Sequence, residues 1–174
     1  KKLAPNETFV TVPTAVGCVC GKLDDAFAQL TQYRRRQRRP HHGNDRLHVI
    51  FDDYMNCLFG DPTTEKLLPL IDIAADLGCE IFCIDAGWYG DQYWYDQVGL
   101  WEPCEARFAG GFAEPMDYIR CKGVMAGLWI EPEMMSTGCP KAQQVPDDWF
   151  FMRRGRRAID HGRYQLDFRN PQVI

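Results

Sequence analysis

Three short apolar runs end in carboxylates, and aromatic rings sit close beside them. Asp52-Asp53 closes residues 47–51. Asp85 closes residues 81–84 and is followed by Trp88 and Tyr89. Trp129 precedes Glu131 and Glu133 at the end of the third run. Asp167 stands near the end of a fourth run, residues 164–168. The loop between the second and third runs adds Tyr93, Trp94, Tyr95 and Trp101. Carbohydrates present hydroxyls and one or two apolar C–H faces. A site for them needs carboxylates that accept hydroxyl hydrogen bonds and flat rings that cover the C–H face. Taken singly, each feature has a plainer reading. A tryptophan in a strand, such as Trp129, more often belongs to the core, and an aspartate at a strand end more often caps a turn. The joint pattern is what points to a sugar.

The elements that must hold these groups alternate. Residues 47–51 read as a short strand. Asp61 reads as a helix N-cap with Pro62 at the first helical position. That helix continues through Leu67, Leu70, Ile71, Ala74 and Ala75 to a stop at Gly78, with Pro69 expected to bend or delay it. Residues 81–84 form a continuous apolar run, as expected of a strand buried on both faces. A long aromatic loop, 88–112, precedes a helix over 114–122 that stops at Gly123. Residues 124–130 read as a third strand, and 149–152 and 164–168 as further apolar runs. Strand, helix, strand, helix, strand implies a parallel sheet with helical crossovers. A doubly wound sheet and a barrel both fit. Acids at the C-terminal ends of several strands favour the barrel. No glycine-rich phosphate loop follows the first strand, which disfavours a nucleotide-binding sheet.

Upstream, residues 1–23 read as irregular or extended. Residues 7–12 are rich in β-branched side chains and end at Pro13, which cannot donate to a ladder. A helix starts at Asp24-Asp25 and runs into Arg34-Arg35-Arg36-Gln37-Arg38-Arg39. Such a basic run can bind phosphate or anionic lipid. At a helix end, without interleaved aromatics, it reads as a solvated stretch that suits the helix dipole. The breaker cluster Pro40-His41-His42-Gly43-Asn44 marks a domain boundary, giving residues 1–45 and 46–174.

A formal net charge of −4 over 174 residues gives no reason to expect nucleic acid as a partner. No apolar stretch approaches the roughly 20 residues of a membrane span. The start, Lys1-Lys2-Leu3-Ala4-Pro5, is not followed by a signal-peptide core. The 8 cysteines make no C-x-x-C pair. They read as reduced structural thiols of a cytoplasmic protein, with Cys79 and Cys83 as small hydrophobes, and no metal or cofactor is expected.

Four ordered stretches resemble glycoside hydrolase family thirty-six, chiefly α-galactosidases. They are Pro62-Thr63-Thr64-Glu65-Lys66-Leu67-Leu68; Ile84-Asp85-Ala86-Gly87-Trp88-Tyr89-Gly90; Gly127-Leu128-Trp129-Ile130-Glu131-Pro132-Glu133-Met134; and Gly162-Arg163-Tyr164-Gln165-Leu166-Asp167-Phe168-Arg169-Asn170-Pro171. The resemblance implies an α/β fold, an incomplete (β/α)8 TIM barrel. Residues 46–174 would be the N-terminal half of that catalytic barrel. Residues 1–45 would be the end of an N-terminal β-sandwich and its linker.

By position, the resemblance implies that Asp85 holds galactose hydroxyls, the axial 4-OH among them. Trp129 would be a substrate-facing aromatic and Arg163 a pocket arginine, with Glu131 and Glu133 as pocket support; Trp88, from the strand-end pattern, and Tyr54 are expected to bind substrate with them. The family usually has a second Asp where this chain has Ala86, and Trp where it has Tyr54. Both departures fall on the sugar pocket. None of the residues present is expected to be catalytic. Retaining hydrolysis needs two carboxyls about 5–5.5 Å apart. The family's nucleophile follows a Lys on the next strand and its acid/base comes later still, both beyond Ile174. The parent would hydrolyse terminal α-D-galactosides in oligosaccharides, and this chain alone would be inactive. A related α-N-acetylgalactosaminidase and a non-catalytic carbohydrate-binding module are the alternatives. A homo-oligomeric parent stays open.

Overall fold

The computed structural model describes residues 3–174. Lys1 and Lys2, part of the start read above for a leader, lie outside it. The chain forms two compact units, Lys1–Arg46 and Leu47–Ile174.

The first unit is built on one helix, α1, Leu23–Gln37. Its first turn carries Asp24 and Asp25, and the Asp25 carboxylate accepts the Lys22 N–H at 2.7 Å. Arg34, Arg35 and Arg36 occupy its last turn, where the orphan carbonyls favour cations. The strand expected over 7–12 does not form. Val10 and Val12 stay 83% and 80% exposed, and no strand occurs among the described residues of this unit. β-Branched side chains favour a pleated surface only when a neighbouring strand supplies one.

The second unit begins with β1, Ile50–Asp52, then α2, Thr64–Asp76, β2, Ile81–Ile84, α3, Ala113–Cys121, and β3, Met125–Leu128. The three strands pair in parallel in the order β1-β2-β3, with Asp52 beside Cys83 and Ile84 beside Leu128. Leu67, Ile71 and Ala74 recur at helical spacing on α2 and are fully buried. They pack with Ile119 of α3, Val124, and Phe82 and Ile84 of β2. The apolar run of β2 is therefore buried on one face, not both. Phe82 and Ile84 turn to the helices while Ile81 and Cys83 alternate to the other side. On the flanking strands Ile50 and Met125 remain 56% and 44% exposed.

Helix α2 starts later than expected. Thr63 is its N-cap, its hydroxyl accepting the Lys66 N–H at 3.3 Å. Asp61 is drawn away to Lys66 and Arg107, and Pro62 is buried outside the helix. Pro69 sits inside α2 without ending it. Its missing N–H frees the Glu65 carbonyl, and both residues lie on the exposed face where water can serve that carbonyl. Gly78 and Gly123 follow the two helices with φ of 77° each.

Downstream the chain turns antiparallel. β4 is Met134–Ser136, β5 Met152–Arg153, β6 Arg156–Arg157, β7 Ile159–Asp160 and β8 Arg163–Gln165. β8 lies between β4 and β7, and β5 pairs with β6. The run at 164–168 is thus no fourth parallel strand. It belongs to a small sheet over a second core of Met135, Cys139, Ala142, Phe150 and Leu166. Residues 149–152 are likewise split between a short turn, Asp147–Trp149, and β5. The Arg157 guanidinium ties this part together. It donates to the carbonyls of Ala142 and Val145 and lies 4.2 Å from the Phe150 ring centre. All eight cysteines are free thiols. No helix among the described residues is long and apolar enough to cross a membrane.

The turns after β1 and β2 touch through bare backbone. Gly87 has φ 96°, and a Cβ there would overlap the Gly60 carbonyl oxygen. Gly78 has a similar φ but opens onto empty space. Gly87→Ala should therefore destabilise the protein by more than about 3 kcal/mol, and Gly78→Ala by only about 1 kcal/mol. Urea unfolding of the two variants checks this; equal losses would show that the close approach carries no weight.

Candidate functional site

Parallel pairing places the C-terminal ends of β1, β2 and β3 side by side, so the residues after each strand meet at one edge of the sheet. Asp53 follows β1 and is 1% exposed. One of its carboxylate oxygens accepts the Asp85 N–H at 2.8 Å, and the other has no hydrogen-bond partner. Asp52 is exposed and accepts the Tyr54 N–H at 3.0 Å. Asp85 is half-buried, and its own carboxylate accepts the Ala86 N–H at 2.6 Å. Ligand atoms of Asp52, Cys83 and Asp85 lie within 4.8 Å of one another.

Three carboxyls this close disfavour one another's charge. Burial above all, then the charges of Asp52 and Asp85, push Asp53 up to about 7. Burial, then Asp52, pushes Asp85 up to about 6. Burial and the same acids push the Cys83 thiol up to about 12. Asp52, Cys83 and Asp85 have the spacing of a metal site among the described residues. Cys83, read as a small hydrophobe, in fact borders the acid group.

The aromatic groups divide into wall and core. Trp129 follows β3, is half-buried, and meets Trp94 and Trp101 edge-on with centres 5.9 and 6.0 Å away. Trp94 also meets Tyr54 edge-on at 5.6 Å. Tyr54, Trp94 and Trp129 thus form one connected group along the strand ends. Trp88, expected on the substrate face, is instead 4% exposed. Its ring packs on Phe112 and Trp101, and its Nε1–H donates to the Trp129 carbonyl at 2.9 Å. It holds Trp129 from behind and offers no free face itself.

Arg163 arrives from β8. Its guanidinium donates to the Glu131 carboxylate and lies 3.9 Å from the centre of the Tyr95 ring. Tyr95 is fixed in turn, its hydroxyl donating to the His161 carbonyl at 2.6 Å. Burial raises Glu131 while Arg163 opposes that rise. Glu133 is exposed, and its backbone carbonyl accepts the Leu166 N–H at 2.9 Å. Asp167 is taken up by Arg169, which donates to both its oxygens at 2.8 and 2.5 Å and holds it below the usual carboxylate range.

Tyr89 sits among these groups. It is 0% exposed and its hydroxyl has no hydrogen-bond partner. Burial raises its pKa, and the charges felt at that oxygen are those of Glu131, Arg163, Asp85 and Tyr54. The structure therefore places Tyr54, Asp85 and Glu131 after three neighbouring strands, pairs Glu131 with Arg163, and joins Tyr54 to Trp129 through Trp94. Asp52 and Asp53 are legible in the sequence as strand-end acids, but nothing there assigns them a contact. Tyr95 and Tyr89 are visible there only as members of an aromatic loop.

Comparison with known proteins identifies relatives of this arrangement. The melibiase family profile matches residues 11–174. α-Galactosidase 1 of Pediococcus pentosaceus is 30% identical over 149 residues, covering 84% of this chain and 20% of that protein. The α-galactosidase of Thermus thermophilus, solved with p-nitrophenyl α-D-galactopyranoside, superposes with a TM-score of 0.70 at 30% identity, over 88% of this chain and 30% of that one. The family thirty-six α-galactosidase AgaA of Geobacillus stearothermophilus, solved with stachyose, superposes at 0.67 and 23% identity, over 77% of this chain and 19% of that one, a likeness of fold. These structural neighbours are TIM-barrel enzymes, and this chain shares their mixed α/β character. The chain spans about a fifth of the length of the curated relatives it matches.

The raised acids make stability depend on pH. A carboxyl with a raised folded pKa adds stability that is fully present below its unfolded value near 4, and this is lost as pH rises through 6 for Asp85 and 7 for Asp53. Asp53→Asn copies the protonated form. It should raise stability by about 1 to 3 kcal/mol at pH 8 and change little below about pH 4. Thermal unfolding of both proteins across that range checks this, and parallel curves would refute it.

With the family profile matched over most of its length and α-galactosidases among its relatives in both sequence and fold, the chain belongs to the melibiase family.

Proposed function

We propose that this chain forms the N-terminal half of the (β/α)8 catalytic barrel of a retaining α-galactosidase that hydrolyses terminal α-D-galactosides in oligosaccharides. Residues 46–174 supply that half barrel, and residues 1–45 the connection from a preceding β-sandwich. The observation that carries the reading is the placement of Tyr54, Asp85 and Glu131 just after three neighbouring parallel strands, with Arg163 of β8 paired to Glu131. These groups come from the ends of all three parallel strands and from β8. A barrel enzyme binds substrate at that end. The open side of the sheet, with Ile50 and Met125 exposed, fits a barrel interior that further strands would fill.

In this reading Asp85 accepts galactose hydroxyls, including the axial 4-OH. Trp129 and Tyr54 present ring surface to the C–H face. Arg163 donates to the sugar, held straight by Glu131 and stacked on Tyr95, and Glu133 supports the same wall. Trp88 serves the pocket from the core by fixing Trp129. The nucleophile and the acid/base lie on strands beyond residue 174, so the segment binds and orients while the rest of the barrel breaks the bond. No cofactor is needed for this chemistry. The relatives solved with raffinose and stachyose suggest raffinose-type oligosaccharides as substrates. Eight free thiols suit a cytoplasmic enzyme.

The full-length protein should hydrolyse p-nitrophenyl α-D-galactopyranoside and raffinose, releasing α-galactose first by NMR. Asp85→Asn should lower kcat/KM by about 100-fold or more, the loss of charged hydrogen bonds to two hydroxyls. The segment alone should show neither turnover nor galactose binding. Saturable binding by the segment would favour a sugar-binding module instead. Preference for the N-acetylgalactosaminide would redirect the substrate.

A further inference from the structure

The loop between β2 and α3 carries three rings in succession, Tyr93-Trp94-Tyr95. Two of them are engaged. Trp94 meets Tyr54 and Trp129 edge-on. Tyr95 takes the Arg163 guanidinium on its ring and donates its hydroxyl to the His161 carbonyl. Tyr93 has neither duty. It is 62% exposed, and its hydroxyl has no hydrogen-bond partner among the described residues. Its ring centre lies 6.0 Å from that of Trp94 and 6.3 Å from that of Tyr95, with the two tyrosine planes only 22° apart.

The backbone under Tyr93 is held. Arg107 donates to the carbonyls of Gly90 and Gln92 at 3.1 and 3.3 Å, and the Asp96 N–H donates to the Tyr93 carbonyl at 3.1 Å. Gly60 makes room for Trp94, since a Cβ there would overlap the indole. On its other side Trp94 leads through Tyr54 to Phe59, which meets Tyr54 edge-on at 5.9 Å and is 57% exposed. Phe59 holds a φ of 51°, an uncommon backbone for a bulky residue and one that persists where the surroundings impose it. Tyr93, Trp94, Tyr54 and Phe59 thus make one connected row of rings, half-buried in the middle and exposed at both ends.

A lone exposed ring on a protein surface needs no explanation. Tyr93 is not alone: it continues the wall that carries Tyr54 and Trp129. A terminal α-galactoside of an oligosaccharide is joined through its anomeric oxygen to a second sugar. That sugar cannot share the galactose pocket and extends past its rim. Its C–H face is apolar, and a flat ring already held in place covers that face at little ordering cost. Tyrosine suits a wet rim, because its face is apolar while its hydroxyl stays in water.

We propose that Tyr93 is a substrate-binding, specificity-determining residue that stacks on the sugar attached to the galactose, so that this row of rings favours α-galactosyl oligosaccharides over galactosides with small leaving groups. This rests on the α-galactosidase reading.

The test uses the full-length protein, as wild type, Tyr93→Ala, Tyr93→Leu and Tyr93→Phe. kcat and KM are measured with melibiose and raffinose, in which a second sugar follows the galactose, and with α-D-galactosyl fluoride, in which none does. Tyr93→Ala should lower kcat/KM on melibiose and raffinose about 5- to 10-fold, mostly through KM, and change it less than about 2-fold on the fluoride. Tyr93→Phe keeps the flat face and should stay within about 2-fold of wild type on all three. An equal loss on the fluoride and on melibiose would overturn the proposal, since Tyr93 would then act only by propping Trp94 and Tyr95. So would no loss on any substrate, the result if another part of the full-length protein covers the ring. A Tyr93→Phe loss as large as that of Tyr93→Ala would also overturn it, by assigning the contact to the hydroxyl. Should Tyr93→Ala fail to fold, Tyr93→Leu decides the question, because it fills the space without a flat face. A loss on melibiose that spares the fluoride supports stacking, and wild-type rates on both count against it. A wild type inactive on the fluoride would sink the α-galactosidase reading itself. An active wild type with an indifferent Tyr93→Ala sinks this inference only.

Discussion

The Asp53 carboxylate is almost wholly out of water and spends one oxygen on the backbone N–H of Asp85. Burying an ionisable group is costly unless it is paired, and here the pairing is incomplete. The arrangement persists because the strands on either side leave no alternative. Gly60 and Gly87 bring the two turns into backbone contact, and a side chain at Gly87 would force them apart. The hydrogen bond and the contact together fix where Asp85 points. Asp52, Tyr54 and Tyr89 are placed from the same two turns. The candidate pocket is thus an outcome of how tightly β1 and β2 are joined at their tips.

Much of this was legible in the sequence because the physics is local. The helical spacing of Leu67, Ile71 and Ala74 marks the buried face of α2, and the apolar run at 81–84 marks β2. The acids after the strands and the aromatic loop mark the site. What escaped is what depends on distant partners. Residues 7–12 have the composition of a strand but no neighbour to pair with among the described residues of their unit. Asp61 has the chemistry of an N-cap, but Lys66 and Arg107 claim it, so Thr63 caps the helix. Residues 164–168 are apolar enough for a barrel strand, yet they complete an antiparallel sheet over Met135 and Phe150. Trp88 has the look of a sugar platform, yet it is packed behind Trp129.

The antiparallel region supplies what the parallel sheet lacks, a cation at the pocket. Arg163 reaches the strand tips only because β8 is clamped between β4 and β7 and because Tyr95 and Glu131 receive its guanidinium. The Tyr95 hydroxyl is itself tied to His161, one turn before β8. An aromatic loop and a remote hairpin therefore share one residue, and neither holds the arginine alone. Such a group is a preoriented donor, and preorientation lowers the ordering cost of binding.

The pairing order β1-β2-β3 follows the order of the chain, each strand joined to the one made just before it. A ribosome releases such a sheet in usable instalments. As each crossover helix emerges it can settle on the strand already in place, and the newest strand becomes the template for the next. Each pairing joins strands adjacent in chain order, which keeps the nascent chain from exploring distant mispairings. Growth by addition at one edge suits a closed barrel, in which the last strand to arrive meets the first.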